Sequence, residues 1–150
     1  METIDTEMAQ RVWQRVTNTA PPPTASPDLQ MLIEEELADA AIYLHLSRLF
    51  GSRHSRILRQ MHQQEQAHAA CLKGIYRMLT GHRPIPRIPK PVREKPILTL
   101  RRCYERELRC LAQYEARSAD PQYGQAFVRM ARQEQEHCRI LLELLGRLEK

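Results

Sequence analysis

A chain of 150 residues is one domain's length and can bury a sizeable core. Its 42% apolar and 27% charged residues suit a globular protein in water, and 5% aromatics with few Val/Ile/Thr runs argue against a sheet-rich fold. No apolar run approaches the roughly 18 residues of a membrane span, and the net charge of +5 is concentrated in one stretch, described below.

The N-terminal METIDTEMAQR lacks the basic-then-apolar layout of a secretory signal, so a cytoplasmic protein with no membrane partner is expected. Residues 5–17 (DTEMAQRVWQRVT) predict a short amphipathic helix capped by Asp5 or Thr6, with Met8, Val12, Trp13 and Val16 as its apolar stripe. Such a helix packs on its own bundle or on a second subunit, and its Met and Trp favour a homodimer interface. APPPTASP (20–27) then reads as an extended tether. Residues 1–26 thus precede a main domain at 27–150.

The first long helix is predicted from Ser26 as N-cap and Pro27 as first residue, with Asp28 on the positive end of its dipole and Gly51 as its stop. Its inner face runs Leu29, Leu32/Ile33, Glu36, Ala40, Tyr43, Ser47, Phe50. Ser52 caps the second helix, which runs through Ile57, Met61, Glu65, His68, Leu72 and Tyr76 to Gly81 and lies antiparallel to the first. Residues 81–96 carry Pro84, Pro86, Pro89, Pro91 and Pro96, too many for a helix or central strand. In polyproline form this strap reaches ~45–50 Å, longer than a helix of about 24 residues at ~36 Å. It can therefore cross the length of a bundle. Arg83, Arg87, Lys90, Arg93 and Lys95 against Glu94 place most of the excess charge here. The strap reads as a solvated linker or a docking strip for an acidic partner. No aromatic is interleaved for base stacking, so nucleic acid is not an expected partner. The third helix follows Pro96, with Leu100, Cys103, Glu107, Cys110/Leu111 and Tyr114 inward. Asp120-Pro121 reads as cap and first residue of the fourth, which carries Met130, Glu134, His137 and Leu141.

Two stretches share the pattern M-x-x-Q-E-Q-x-H: Met61 to His68 and Met130 to His137. Each puts a Glu and a His three residues apart, on one helix face. Before each copy stands a Glu followed seven residues later by a Tyr: Glu36 with Tyr43, and Glu107 with Tyr114. Shifts of 71 and 69 residues superpose Glu36 on Glu107 and Glu65 on Glu134, so 27–81 and 96–150 read as an internal duplication. Neither half can bury its stripe alone, which predicts an all-α four-helix bundle. Four inward carboxylates would each cost several kcal/mol if ionised and unpaired. Two divalent cations neutralise four glutamates beside two neutral imidazoles. Oxygen ligands with one imidazole per metal suit iron or manganese. The order Glu, Glu-x-x-His, Glu, Glu-x-x-His is the known ligand order of di-iron and di-manganese carboxylate bundles. The four cysteines (71, 103, 110, 138) form no C-x-x-C and read as buried thiols.

On these residues, 27–149 resemble the ferritin-like superfamily, closest in style to rubrerythrins and bacterioferritins. The resemblance implies a bundle with the Pro-rich crossover between its second and third helices. It implies two iron ions (manganese as the alternative), with Glu36 and Glu107 as terminal ligands, Glu65 and Glu134 bridging, and His68 and His137 as the imidazoles. It places Tyr43 and Tyr114 as phenols hydrogen-bonded to ligating carboxylates. The implied activity is reduction of peroxide or O2 with a separate, rubredoxin-like electron donor. Alternatives on the same site are a ferroxidase, a hydroxylase of the demethoxyubiquinone-hydroxylase type, and a non-catalytic metal-binding bundle. One departure matters: Cys110 stands where typical rubrerythrins carry a further Glu, and Asp39 occupies the related position of the first half.

Overall fold

The computed structural model describes residues 27–88, 90 and 92–148. The expected helix at 5–17, its tether and the Ser26 cap lie outside them. Among the described residues there are four helices and no strand: α1 (Pro27–Ser47), α2 (Ser52–Thr80), α3 (Pro96–Ala116) and α4 (Gly124–Leu148). None is long and apolar enough to cross a membrane.

Local chemistry sets most of the ends. Gly81 takes the left-handed conformation (φ 73°) and its N–H bonds Arg77 O at 2.9 Å, which closes α2. Pro96 opens α3, where its missing N–H costs nothing. Three boundaries differ from the sequence expectation. α1 stops at Ser47, because two tighter bonds, Arg48 N–H to His45 O and Leu49 N–H to Leu46 O, unwind its last turn before Gly51. Gly51, in extended conformation, caps α2, so Ser52 is its first residue and not its cap. α4 begins at Gly124, because the Asp120 carboxylate accepts from the N–H of Gln122 and Tyr123 and holds 120–123 in a separate turn.

α1 packs chiefly on α2 and α3 on α4. Pairing across the bundle gives the directions. Asp28, Asp39 and Tyr43 of α1 meet Arg117, Arg106 and Glu107 of α3, an antiparallel order. Gln64 and His68 of α2 meet His137 and Gln133 of α4, again antiparallel. The apolar core falls into two parts. One joins Leu29, Leu32, Ile33, Leu72, Ile75, Tyr114 and Phe127; the other joins Tyr43, Leu46, Leu58, Met61, Leu100, Leu141 and Leu144. Between them, at mid-height, lies a buried polar layer. Outside, the strap is pinned to α1: Gln30 Nε2 donates to Ile85 O at 2.8 Å, and Arg87 N–H donates to Glu34 Oε1 at 2.8 Å.

Candidate metal centre

The polar layer contains all six expected ligands. Glu36, Glu65, His68, Glu107, Glu134 and His137 are each no more than 2% exposed. They reach it by helical spacing: Glu65 and His68 share a face of α2, Glu134 and His137 a face of α4, and Glu36 and Glu107 project from α1 and α3.

Their atoms form two groups. Glu36, Glu65, His68 and Glu134 offer ligand atoms within 4.8 Å of one another, and so do Glu65, Glu107, Glu134 and His137. Glu65 and Glu134 belong to both, and each divides its oxygens between them. Glu65 turns Oε2 to His68 Nδ1 (3.1 Å) and Oε1 to His137 Nδ1 (2.7 Å). Glu134 turns Oε1 to His68 Nδ1 (2.9 Å) and Oε2 to His137 Nδ1 (3.4 Å). Glu36 Oε2 and Glu107 Oε1 complete the two groups, at 3.6 Å and 3.5 Å from those nitrogens.

The donor atoms fit a cation better than each other. Glu65 Oε1, both oxygens of Glu134 and His137 Nδ1 are buried with no hydrogen-bond partner, although Glu65 Oε1 and His137 Nδ1 are 2.7 Å apart. That contact lacks hydrogen-bond directionality; both atoms face a common point. A buried polar atom left without a partner costs ~1–3 kcal/mol, and cations held by the two groups would satisfy all four.

Protonation in the metal-free protein says the same in another form. Burial lifts Glu65 well above the usual carboxylate range, and the charges of Glu36 and Glu107 lift it further; burial and Glu36 do the same to Glu134. Burial works against a charged His137, yet Glu107, Glu134 and Glu65 outweigh it and push its pKa up to about 12. His68 is raised in the same way, by Glu134, Glu36 and Glu65 acting against burial. Burial also opposes ionisation of Glu107, but contacts with Glu134, His137 and Tyr43 hold it at about 2. Four carboxylates cannot stay ionised together in this space, so protons on the glutamates and histidines balance their charge.

Around the ligands the helices exchange hydrogen bonds crosswise. Tyr43 of α1 donates to Glu107 of α3, and Tyr114 of α3 donates to Glu36 of α1. Burial, then the adjacent carboxylate, raises both phenol pKa values, so both stay protonated donors. Gln64 and Gln133, whose roles sequence reasoning missed, orient the imidazoles. His68 Nε2 lies 2.6 Å from Gln133 Oε1, and His137 Nε2 lies 2.7 Å from Gln64 Oε1. With N–H on Nε2, each Nδ1 presents a lone pair to the centre. The repeated Gln before each motif Glu was the available signal.

The two flanks differ. Asp39 is buried and its carboxylate is gripped by Arg106 through Nε at 2.8 Å and through the adjacent nitrogen. Burial lifts Asp39 to about 7 despite the guanidinium. Asp39 therefore faces Arg106 rather than serving as a further ligand. At the related positions of the other flank, Cys110 Sγ lies 3.5 Å from Glu35 Oε2. Burial keeps the Cys103 and Cys110 thiols protonated, and neither sulfur belongs to the two groups of ligand atoms. Glu34 and Glu35 stay out of the cluster, on the strap and beside Arg109. All four cysteines are free. Comparisons of the chain with protein-family models, curated proteins and solved structures find no match.

Proposed function

We propose that this chain is a ferritin-like bundle that holds two iron or manganese ions and reduces peroxide or O2. One observation carries the reading: Glu65 and Glu134 each turn one oxygen to either histidine, as carboxylates bridging two ions would. The helix directions support the fold assignment. α1 runs antiparallel to both α2 and α3, so α2 and α3 run the same way. Residues 81–95 must then return along the bundle as its long crossover.

Iron held by the two groups would supply two electrons, one from each ion, for the reduction of hydrogen peroxide with two protons to two waters. The chain's own residues do the rest. Glu36 and Glu107 would each hold one ion, while Tyr114 and Tyr43 fix the orientation of their carboxylates. Gln133 and Gln64 accept the Nε2–H of each imidazole and so leave Nδ1 as the nitrogen that faces the centre. The two apolar parts of the core exclude water on either side. Electrons for the next turnover come from a separate donor protein.

A second reading, ferroxidase, draws on Cys110 and Asp39. With a thiol at one position and an Arg-bound carboxylate at the other, no further carboxylate is free to enter the coordination shell during redox change. Metal analysis followed by stopped-flow oxidation of the di-ferrous protein separates the readings. Faster reaction with hydrogen peroxide than with O2 supports the peroxidase. Faster O2 consumption with catalytic turnover of added Fe(II) makes it a ferroxidase. A protein that retains no metal after loading and desalting overturns both.

A further inference from the structure

Away from the centre, the last turns of α2 and the turn before α4 enclose an open apolar groove of about 600 Å3. Ala70, Gly74, Ile75, Met78 and Tyr123 are among the residues that line it. Met78 is 72% exposed, a large apolar side chain in water on an otherwise amphipathic helix. Ala70, Gly74 and Met78 recur every four residues, so they share one face of α2. A methyl added at Gly74 would meet no atom within 4 Å, so another backbone can approach closely there. The groove continues into the core, since Ile75, Cys71 and Tyr123 pack in the cluster that holds Leu29 at the start of α1.

We propose that residues 5–17 of the same chain occupy this groove, seating Met8, Val12, Trp13 and Val16 against the face of α2. Placement and reach support that occupant. α1 begins at Pro27 and runs antiparallel to α2, so residues 1–26 join the bundle at the end that carries Gly74, Met78 and Gly81. Residues 18–26, with Pro21, Pro22 and Pro23, extend about 28 Å at ~3.1 Å per residue. Neighbouring helix axes lie ~8–10 Å apart, so the tether crosses to the groove with length to spare. It falls short of the far end of α2, whose 29 residues span about 44 Å at ~1.5 Å each. Met8, Val12 and Val16, with Trp13 beside them, have the spacing of a helix that lays one face into a groove. A tether this short gives an effective concentration near millimolar, which favours the chain's own groove over a second copy's.

The chain has a single tryptophan, so Trp13 reports the contact directly. In the full-length protein its fluorescence should be blue-shifted from the unfolded value and several-fold less open to acrylamide quenching, with light scattering giving a monomer. Met78→Asp and Ala70→Arg, two exposed positions, should each return both readings to the unfolded values while helical circular dichroism and metal content stay unchanged. A native Trp13 that already emits like the unfolded chain overturns the proposal. So do two folded variants in which Trp13 stays buried. Burial that disappears on dilution of a dimer also overturns it, by assigning the groove to a second copy's arm.

Discussion

Gln64 and Gln133 show how much a single side chain contributes at this centre. Each carboxamide oxygen accepts the Nε2–H of the histidine on the other motif, which sets the tautomer and aims Nδ1. Replacing Gln64 by Leu removes the acceptor and keeps the bulk. Metal affinity, read by chelator competition, should fall ~10–100-fold, and Gln64→Glu, which can still accept, should recover most of it. Tyr43→Phe leaves buried Glu107 without its phenol donor. Denaturant unfolding of the metal-free protein should show a loss of ~1–3 kcal/mol. The glutamates, histidines and tyrosines could be picked out because the sequence repeats them at helical spacing. The glutamines were equally visible as letters, but their partners lie 65 and 73 residues away, on a helix whose direction had first to be known. Arg106 was hidden for the same reason: nothing near it in sequence says that it meets Asp39 across the bundle.

At the scale of the helices, periodicity carried most of the fold. Of the inward positions expected on α3, Leu100, Cys103, Glu107, Cys110 and Tyr114 are buried and Leu111 is half-buried. Boundaries were harder, because a cap and a turn use the same residues. Asp120-Pro121 has the composition of a helix start, yet its carboxylate is spent on a turn that brings the chain back over itself. Gly124 marks that return: a Cβ there would stand 2.4 Å from Ser118 O. Gly124→Ala should therefore destabilise by ~1–3 kcal/mol, since backbone must shift to admit the methyl. Gly146, within α4, has nothing within 4 Å of such a Cβ, and Gly146→Ala should stabilise by ~0.5–1 kcal/mol. Thermal melts of the two variants should move in opposite directions.

For the whole molecule, the buried cluster couples stability to pH and, on the proposed reading, to metal. His68 and His137 have folded pKa values above the unfolded one, so their stabilisation is complete in acid and is lost as pH rises toward those folded values, about 12 for His137. Raised Glu65 and Glu134 act in the same direction, whereas Glu107, held at about 2, acts only in acid. The melting temperature of the metal-free protein should thus fall between pH 6.5 and pH 9. Metal should restore it, by about 4 kcal/mol at a thousandfold excess over Kd. Metal binding at this cluster should release the protons these groups carry. Calorimetry in buffers of different ionisation enthalpy should detect on the order of four protons released per chain, from His68, His137, Glu65 and Glu134. A melting temperature indifferent to chelator and to added metal would show that the cluster is not a metal site.

The unequal flanks carry one more consequence. A doubled sequence would give two interchangeable addresses if every related pair matched, but Asp39–Arg106 lies on one side and Glu35–Cys110 on the other. The half-buried guanidinium that Asp39 holds on the Glu107 flank makes that address less welcoming to a dication than the one beside Glu36. The first ion to arrive should settle against His68, and a half-loaded species should accumulate during titration. Anaerobic Fe(II) titration followed by Mössbauer spectroscopy should resolve two environments that fill in sequence, and Asp39→Asn/Arg106→Gln should bring them closer together.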